Sequence, residues 1–283
     1  MKQLKIEACK NALIIFLGII LVQMIVYILA VVGVVSWGII NGISYNDAVK
    51  NMDMIVNQEQ SFVMWMSVFS ALISMLWCAR LYNKSSWREE NINYREVFSK
   101  ENILALTGVA IGGCMVVSFI LTVLAAWFPA AFKSYSQTMD NFDASGGIIV
   151  LVYTIVIGPA AEEFIFRGAI FDRLYLGFDF WKANMLQALL FALYHMDIVQ
   201  GIYAFIMGIV LGMVLKATGS IITAIITYIL FNATSYIISV VFNGKNELQI
   251  VFWIVLIFSV ISLTAGIMYF KRKLTEKLKV EKC

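Results

Sequence analysis

Eight long apolar segments take up most of this chain, and they leave few folds open to it. They run approximately over residues 12–37, 61–79, 103–128, 147–171, 183–196, 199–216, 221–243 and 250–270. A helix needs about 20 apolar residues to cross the hydrocarbon core of a bilayer. Most of the segments reach that length; the fifth and sixth fall short. Of the 283 residues 61% are hydrophobic and 14% charged, and the charges collect between the apolar runs. A soluble domain carries roughly 25% charged residues. The pattern excludes a soluble helical enzyme. It implies an all-α, polytopic membrane protein of about eight transmembrane helices, with residues 1–283 as a single membrane domain.

The opening MKQLKIEACK has the charge of a signal-peptide start, but the run behind it is too long for a cleaved signal and reads as a retained first helix. Only Met196-Asp197-Ile198 separates the two short segments, so they are expected to form a helical hairpin. Short buried helices of this kind are tolerated where they line a site rather than face lipid. With eight crossings, the lysines and arginines of the N-terminus, of 80–100, of 173–182, at Lys216 and after 270 fall on one side. Lys50, Lys133 and Lys245 fall on the other. The positive-inside rule then places both termini in the cytoplasm, and an odd number of crossings destroys the bias.

The loop from Arg80 to Glu101, with Trp87-Arg88-Glu89-Glu90, is expected as an interfacial helix or a loop against headgroups. Segments 40–60 and 129–146, which carry Asp47, Asp53, Glu59, Asp140 and Asp143, are too short for a domain of their own. Outside the apolar runs no basic patch is interleaved with aromatics, so nucleic acid is not expected as a partner. Cys9, Cys78, Cys114 and Cys283 have no spacing for metal or redox chemistry and read as free thiols. No cofactor or metal is expected.

The fourth apolar segment carries Glu162-Glu163-Phe-Ile-Phe-Arg167. Ionisable groups at that depth are costly and call for a structural or chemical reason. Glu163 and Arg167 are four residues apart on one helical face and are expected to pair, which offsets part of their desolvation. Glu162 lies about 100° around the helix with no local partner, as suits a general base that takes a proton from water. Gly158-Pro159 just upstream removes a backbone donor, frees a carbonyl and bends the helix.

The next segment places Phe191 and the sole histidine, His195, four apart. The seventh places Tyr228 and Asn232 four apart, a hydroxyl and an amide able to steady charge on a carbonyl oxygen or to bond between helices. At about 1.5 Å per residue, Glu162 lies roughly 16 Å from Arg173, His195 roughly 20 Å from Lys182, and Asn232 roughly 18 Å from Ser220. Tyr228 is shallower, at roughly 12 Å. Three helices thus bring polar groups to a similar depth.

These residues resemble the CPBP family of intramembrane, metal-independent glutamic proteases, which includes the CAAX prenyl endopeptidases and the bacterial Abi proteins of bacteriocin processing and immunity. Glu162-Glu163-x-x-x-Arg167 is similar to the family motif EExxxR, Phe191-x-x-x-His195 to FxxxH, and Tyr228-x-x-x-Asn232 to HxxxN with tyrosine in place of histidine. The likeness covers about 147–240 well; the first three apolar spans match only as spans. It implies that Glu162 and His195 activate water, that Glu163, Arg167 and Phe191 support them, and that Asn232 with Tyr228 serves the oxyanion. It also implies a membrane peptide or protein as substrate, in a bacterial cell membrane. The alternative it leaves is a non-catalytic scaffold, regulator or bacteriocin immunity protein that binds a membrane partner. A transporter finds no second set of broken helices to support it.

Overall fold

A computed structural model describes residues 2–58, 60–85, 92–130, 132–133, 136, 147–242 and 249–280. The side chains of 53–58, 60–61, 242 and 249 are not described. The expected features at Trp87-Arg88-Glu89-Glu90, Glu59, Asp140, Asp143, Lys245 and Cys283 lie outside the described residues.

Every regular element among the described residues is helical. In chain order they are α1 (Lys2–Ile40), α2 (Tyr45–Gln58), α3 (Gln60–Asn83), α4 (Tyr94–Val97) and α5 (Lys100–Trp127). They continue with α6 (Gly147–Tyr175), α7 (Phe180–Tyr194), α8 (Ile198–Thr218), α9 (Ile221–Phe242) and α10 (Gln249–Val280). The apolar runs become helices because nothing interrupts them: of the two prolines, Pro129 follows α5 and Pro159 lies inside α6. Phe128, restricted by Pro129, is the residue at which α5 stops.

Polar residues set the other ends. Ser99, Asp179 and Asp197 accept from the backbone N–H three residues on, at the starts of α5, α7 and α8. Gly219, at φ 72°, ends α8 in the left-handed conformation that a side chain resists.

The count of eight spans needs correction. Among the described residues seven helices are long and apolar enough to cross a membrane: α1, α3, α5, α6, α8, α9 and α10. The fifth predicted segment is α7, which has only 15 residues. At about 1.5 Å each these reach roughly 22 Å, short of a core about 30 Å thick. It is kept short by the turn at Met196, where φ is 52° and the helix cannot continue. The expected hairpin does form, since α7 and α8 pack against each other along their length.

A helix that sequence reading missed, α2, sits in the 40–60 segment. Ser44 Oγ donates to Asp47 Oδ2 at 2.6 Å while the Asp47 N–H donates to Ser44 Oγ at 3.2 Å, a reciprocal cap. Ala48 and Met52, four apart, are its buried face.

Large apolar side chains cover the outside of the bundle: Leu17, Leu21 and Ile28 on α1, and Ile257, Phe258 and Ile261 on α10, are exposed. Patches this extensive belong against lipid. The chain is a polytopic all-α membrane protein.

Because lipid is as apolar as leucine, helices hold together by close approach. A Cβ on Gly108 meets the Ser262 carbonyl oxygen at 2.9 Å, and one on Gly266 meets that of Ala105 at 2.8 Å, so α5 and α10 cross nearly in backbone contact. In the α7–α8 hairpin, Gly208 accommodates Ala188, and Gly212 leaves room only for Asn184. Asn184 Nδ2 donates to the Ile209 carbonyl at 2.9 Å, and Gln187 Nε2 to that of Gly208 at 2.9 Å. These bonds fix the register of the hairpin that carries His195.

Candidate active site

Helix α6 is built in an unusual way. Residues Tyr153–Ile157 and Glu163–Ile170 are π-helical, with the Gly158–Glu162 α-turn between them. Such wide turns arise where the backbone register is disturbed, often at functional sites.

Proline supplies the disturbance. The Gly158 N–H donates to the Tyr153 carbonyl, five residues back. The next carbonyl, that of Thr154, thereby loses its ordinary donor at Gly158, and its five-residue donor is Pro159, which has no N–H. Asn232 fills the vacancy: its Nδ2 donates to the Thr154 carbonyl at 3.0 Å. The carbonyl expected to be freed by the proline is thus identified, together with the side chain that satisfies it.

The π register also resets depth. A π-helix advances less per residue than an α-helix, because each turn holds more residues. Eight residues of it lie between Glu162 and Phe171. Glu162 therefore sits nearer the Arg173 end than a uniform rise puts it. Its neighbour on α9 is Tyr228, whose hydroxyl hydrogen-bonds with the Glu162 carboxyl. Asn232, one turn further along α9, stands level with Thr154.

Glu162 is surrounded by polar groups from three helices. His195 and Arg167 lie within electrostatic reach of its carboxyl, as do the hydroxyls of Tyr153 and Tyr194. Its Oε2 is shielded from solvent and has no hydrogen-bond partner among the described residues. Glu163 and Arg167 are both fully buried, with Arg167 Nη1 2.8 Å from Glu163 Oε1. The distance makes an ion pair, although the two groups are not aligned for a hydrogen bond.

Phe191 is the hub of this cluster. The Arg167 guanidinium lies over its ring, 4.4 Å from the centroid, a cation–π contact in a dry setting. Its edge contacts reach His195 at 4.8 Å and Tyr228 at 6.0 Å, and Phe166 packs at 4.9 Å. Phe191 therefore positions the arginine, the histidine and the tyrosine at once.

His195 caps the end of α7, half-buried, with Nδ1 2.9 Å from the Phe191 carbonyl. A carbonyl only accepts, so Nδ1 carries a proton and donates. With Nδ1 as the donor, Nε2 is the nitrogen that can accept when the ring carries a single proton. The left-handed Met196 that follows is a strained position for a side-chain-bearing residue, of the kind that collects at functional sites.

Four further residues join the site that motif reading did not reach. Tyr194 packs edge-on against Phe166 at 5.4 Å and accepts a hydrogen bond from Gln23 Nε2 of α1. Tyr153 and Thr154 come from the first π stretch. Gln23 had a visible signal: it is the sole amide side chain between Ala12 and Trp37. Two tyrosines among twelve had none.

Residues 144–234 match the family model described as Rce1-like, Type II CAAX prenyl endopeptidase Rce1-like. The matched stretch holds all of Glu162, Glu163, Arg167, Phe191, His195, Tyr228 and Asn232, and the chain is similar to CAAX-type proteases over that stretch. No curated protein and no solved structure matches the chain.

Proposed function

We propose that this protein is an intramembrane endopeptidase of the CAAX-protease and Abi type, which cleaves a membrane-associated peptide or protein with water activated by Glu162. The observation that carries the reading is the state of Glu162. One carboxyl oxygen is held by Tyr228, and the other is buried and unsatisfied beside His195. Buried polar atoms nearly always have a partner, so an acceptor left open here suits a water molecule.

In the reaction Glu162 takes a proton from that water while His195 Nε2 accepts its second hydrogen bond. The hydroxide oxygen bonds to the substrate carbonyl carbon. The Tyr228 hydroxyl turns to the oxyanion as a neutral donor, the role that the resemblance gives to a histidine. The C–N bond then breaks, and the proton held by Glu162 leaves with the amine. Glu163 and Arg167 hold α6 in place, and Asn232 acts by closing the Thr154 carbonyl that Pro159 leaves open. The setting is a bacterial cell membrane with both termini in the cytoplasm. α7 counts as a crossing in that parity, because it runs antiparallel to α8, with Ala188 against Gly208 and Asn184 against Gly212, so that the hairpin starts and ends on the same side.

The second reading, a non-catalytic scaffold or immunity protein for a membrane partner, has one observation in its favour: Tyr228 stands where the resemblance expects an imidazole. Purified protein in lipid vesicles, offered membrane-peptide libraries beside its Glu162→Gln variant, separates the two. Cleavage by the wild type alone supports the peptidase. Equal binding of one peptide by both proteins, with no cleavage by either, overturns it in favour of the scaffold.

A further inference from the structure

A partly open cavity lies between membrane helices at the level of Asn232, with Ser235 at its exposed wall. It has a volume of about 60 Å³ between α5, α8 and α9, and it is lined by Cys114, Ser118, Tyr203, Phe231, Asn232 and Ser235 among others. Liquid water takes about 30 Å³ per molecule, so the cavity has room for about two. An apolar void of that size stays empty, whereas a void with two to four polar partners is hydrated. This one offers two serine hydroxyls, a phenol and an amide. The Asn232 amide nitrogen is committed to the Thr154 carbonyl, which leaves its oxygen to accept.

The cavity adjoins the candidate active site through hydroxyl groups. Tyr203 lines it and lies within electrostatic reach of Tyr228. Tyr228 in turn hydrogen-bonds with Glu162, whose Oε2 is unpartnered. A hydrolase that works inside hydrocarbon has to keep water near its base, and this cavity is both polar and hollow at the level of Asn232.

We infer that the partly open cavity bounded by Ser118, Tyr203, Asn232 and Ser235 is a water site that supplies Glu162 by way of the Tyr203 and Tyr228 hydroxyls. Its role as a supply rests on the peptidase reading; its occupation by water does not. The ligand is water held by hydroxyl and amide groups, with Cys114 as a built-in reporter on the wall.

The test uses full-length protein in phosphatidylcholine nanodiscs with Cys9→Ser and Cys283→Ser. Silver ion, which is close to water in size, replaces the proton of any thiol that aqueous solution reaches, and the proton passes to the buffer. After a short pulse the protein is denatured and the remaining thiols are counted with a maleimide by mass spectrometry. Cys78, fully buried in the apolar core, is the dry reference. Cys114 is expected to be blocked about tenfold faster than Cys78 or more, because the core thiol waits for a local opening. Ser235→Leu, which closes the cavity at its exposed wall with apolar bulk, is expected to bring Cys114 down to the Cys78 rate and to leave Cys78 unchanged, which shows the variant folded. Equal rates for the two thiols in the wild type, or no effect of Ser235→Leu on Cys114, overturn the water site.

The supply role is read separately as cleavage by Ser235→Leu, with a lowered kcat and an unchanged KM expected. Protected silver kinetics with an unchanged kcat leave a hydrated cavity but overturn the supply. A wild type that binds but never cleaves overturns the peptidase reading and the supply with it, while the silver result still decides the cavity.

Discussion

Asn232→Leu is expected to cost stability through one backbone carbonyl, and the size of the cost depends on Pro159. In the native helix the Thr154 oxygen has lost both helical donors, one diverted to Tyr153 and the other absent from Pro159, and Asn232 Nδ2 replaces them at 3.0 Å. Leucine keeps the shape and removes the donor. Thr154 lies on the outer face of the bundle, where hydrocarbon offers no donor, and a polar group left unpaired away from water costs about 1–3 kcal/mol, which sets the expected loss. Pro159→Ala restores an N–H five residues after Thr154, in the register that this π stretch already uses. In that background the carbonyl has a backbone partner and Asn232→Leu should be nearly free. The four proteins of the cycle would be unfolded reversibly with sodium dodecyl sulfate in mixed micelles and followed by tryptophan fluorescence. A coupling of about 1–2 kcal/mol is expected between positions 159 and 232, within the range seen for groups that share a partner. Additivity to within about 0.5 kcal/mol refutes the argument, because it means that the amide and the missing N–H do not serve the same oxygen.

Three further outcomes are expected. Tyr228→Phe should lower kcat by about 10²–10³, the usual loss of an oxyanion donor, and Tyr228→His should retain more activity than Tyr228→Phe; equal kcat for the Phe variant and the wild type removes the hydroxyl from the mechanism. Arg167→Met should cost about 3–5 kcal/mol by stranding the buried Glu163 carboxylate, and adding Glu163→Gln should recover part of it in the same micelle titration; a double variant no better than the single denies the pair its role. Asp179, outside the membrane, caps α7 and accepts from Lys182 Nζ at 2.7 Å; that hydrogen bond holds its carboxyl below the ordinary carboxylate range. A carboxyl lowered on folding stabilises above its unfolded value, and that contribution fades as pH falls through the lowered folded value. Asp179→Ala should therefore cost about 1 kcal/mol at neutral pH and progressively less in acid; a cost independent of pH counts against the cap.

Seven of the eight apolar segments fall on long helices, although α1 begins ten residues before its segment and α10 runs ten residues beyond its own, and the reason is simple. In a bilayer, the length and continuity of an apolar run decide whether a helix forms and spans, and both are local properties. Glu163 and Arg167 were equally readable, because a four-residue spacing brings two side chains together on either an α- or a π-turn. The amphipathic α2 had its signal in Ser44-x-x-Asp47, a short pattern hidden beside much louder apolar runs.

What composition and spacing determined was the solvent of this protein, its helical class, and which polar residues had to be explained. Tertiary structure alone decided how those residues meet. The stretch 183–196 reads as one more span, yet the left-handed Met196 ends α7 at 15 residues and sets His195 on its last turn. A uniform rise pairs Asn232 with Glu162 in depth, yet the π stretches around Pro159 bring Tyr228 to the carboxylate and Asn232 to Thr154. Gln23 finds Tyr194 from 171 residues away. Each of these depends on how one helix slides against another as polar groups on different helices find partners, and no local window of sequence contains that sum.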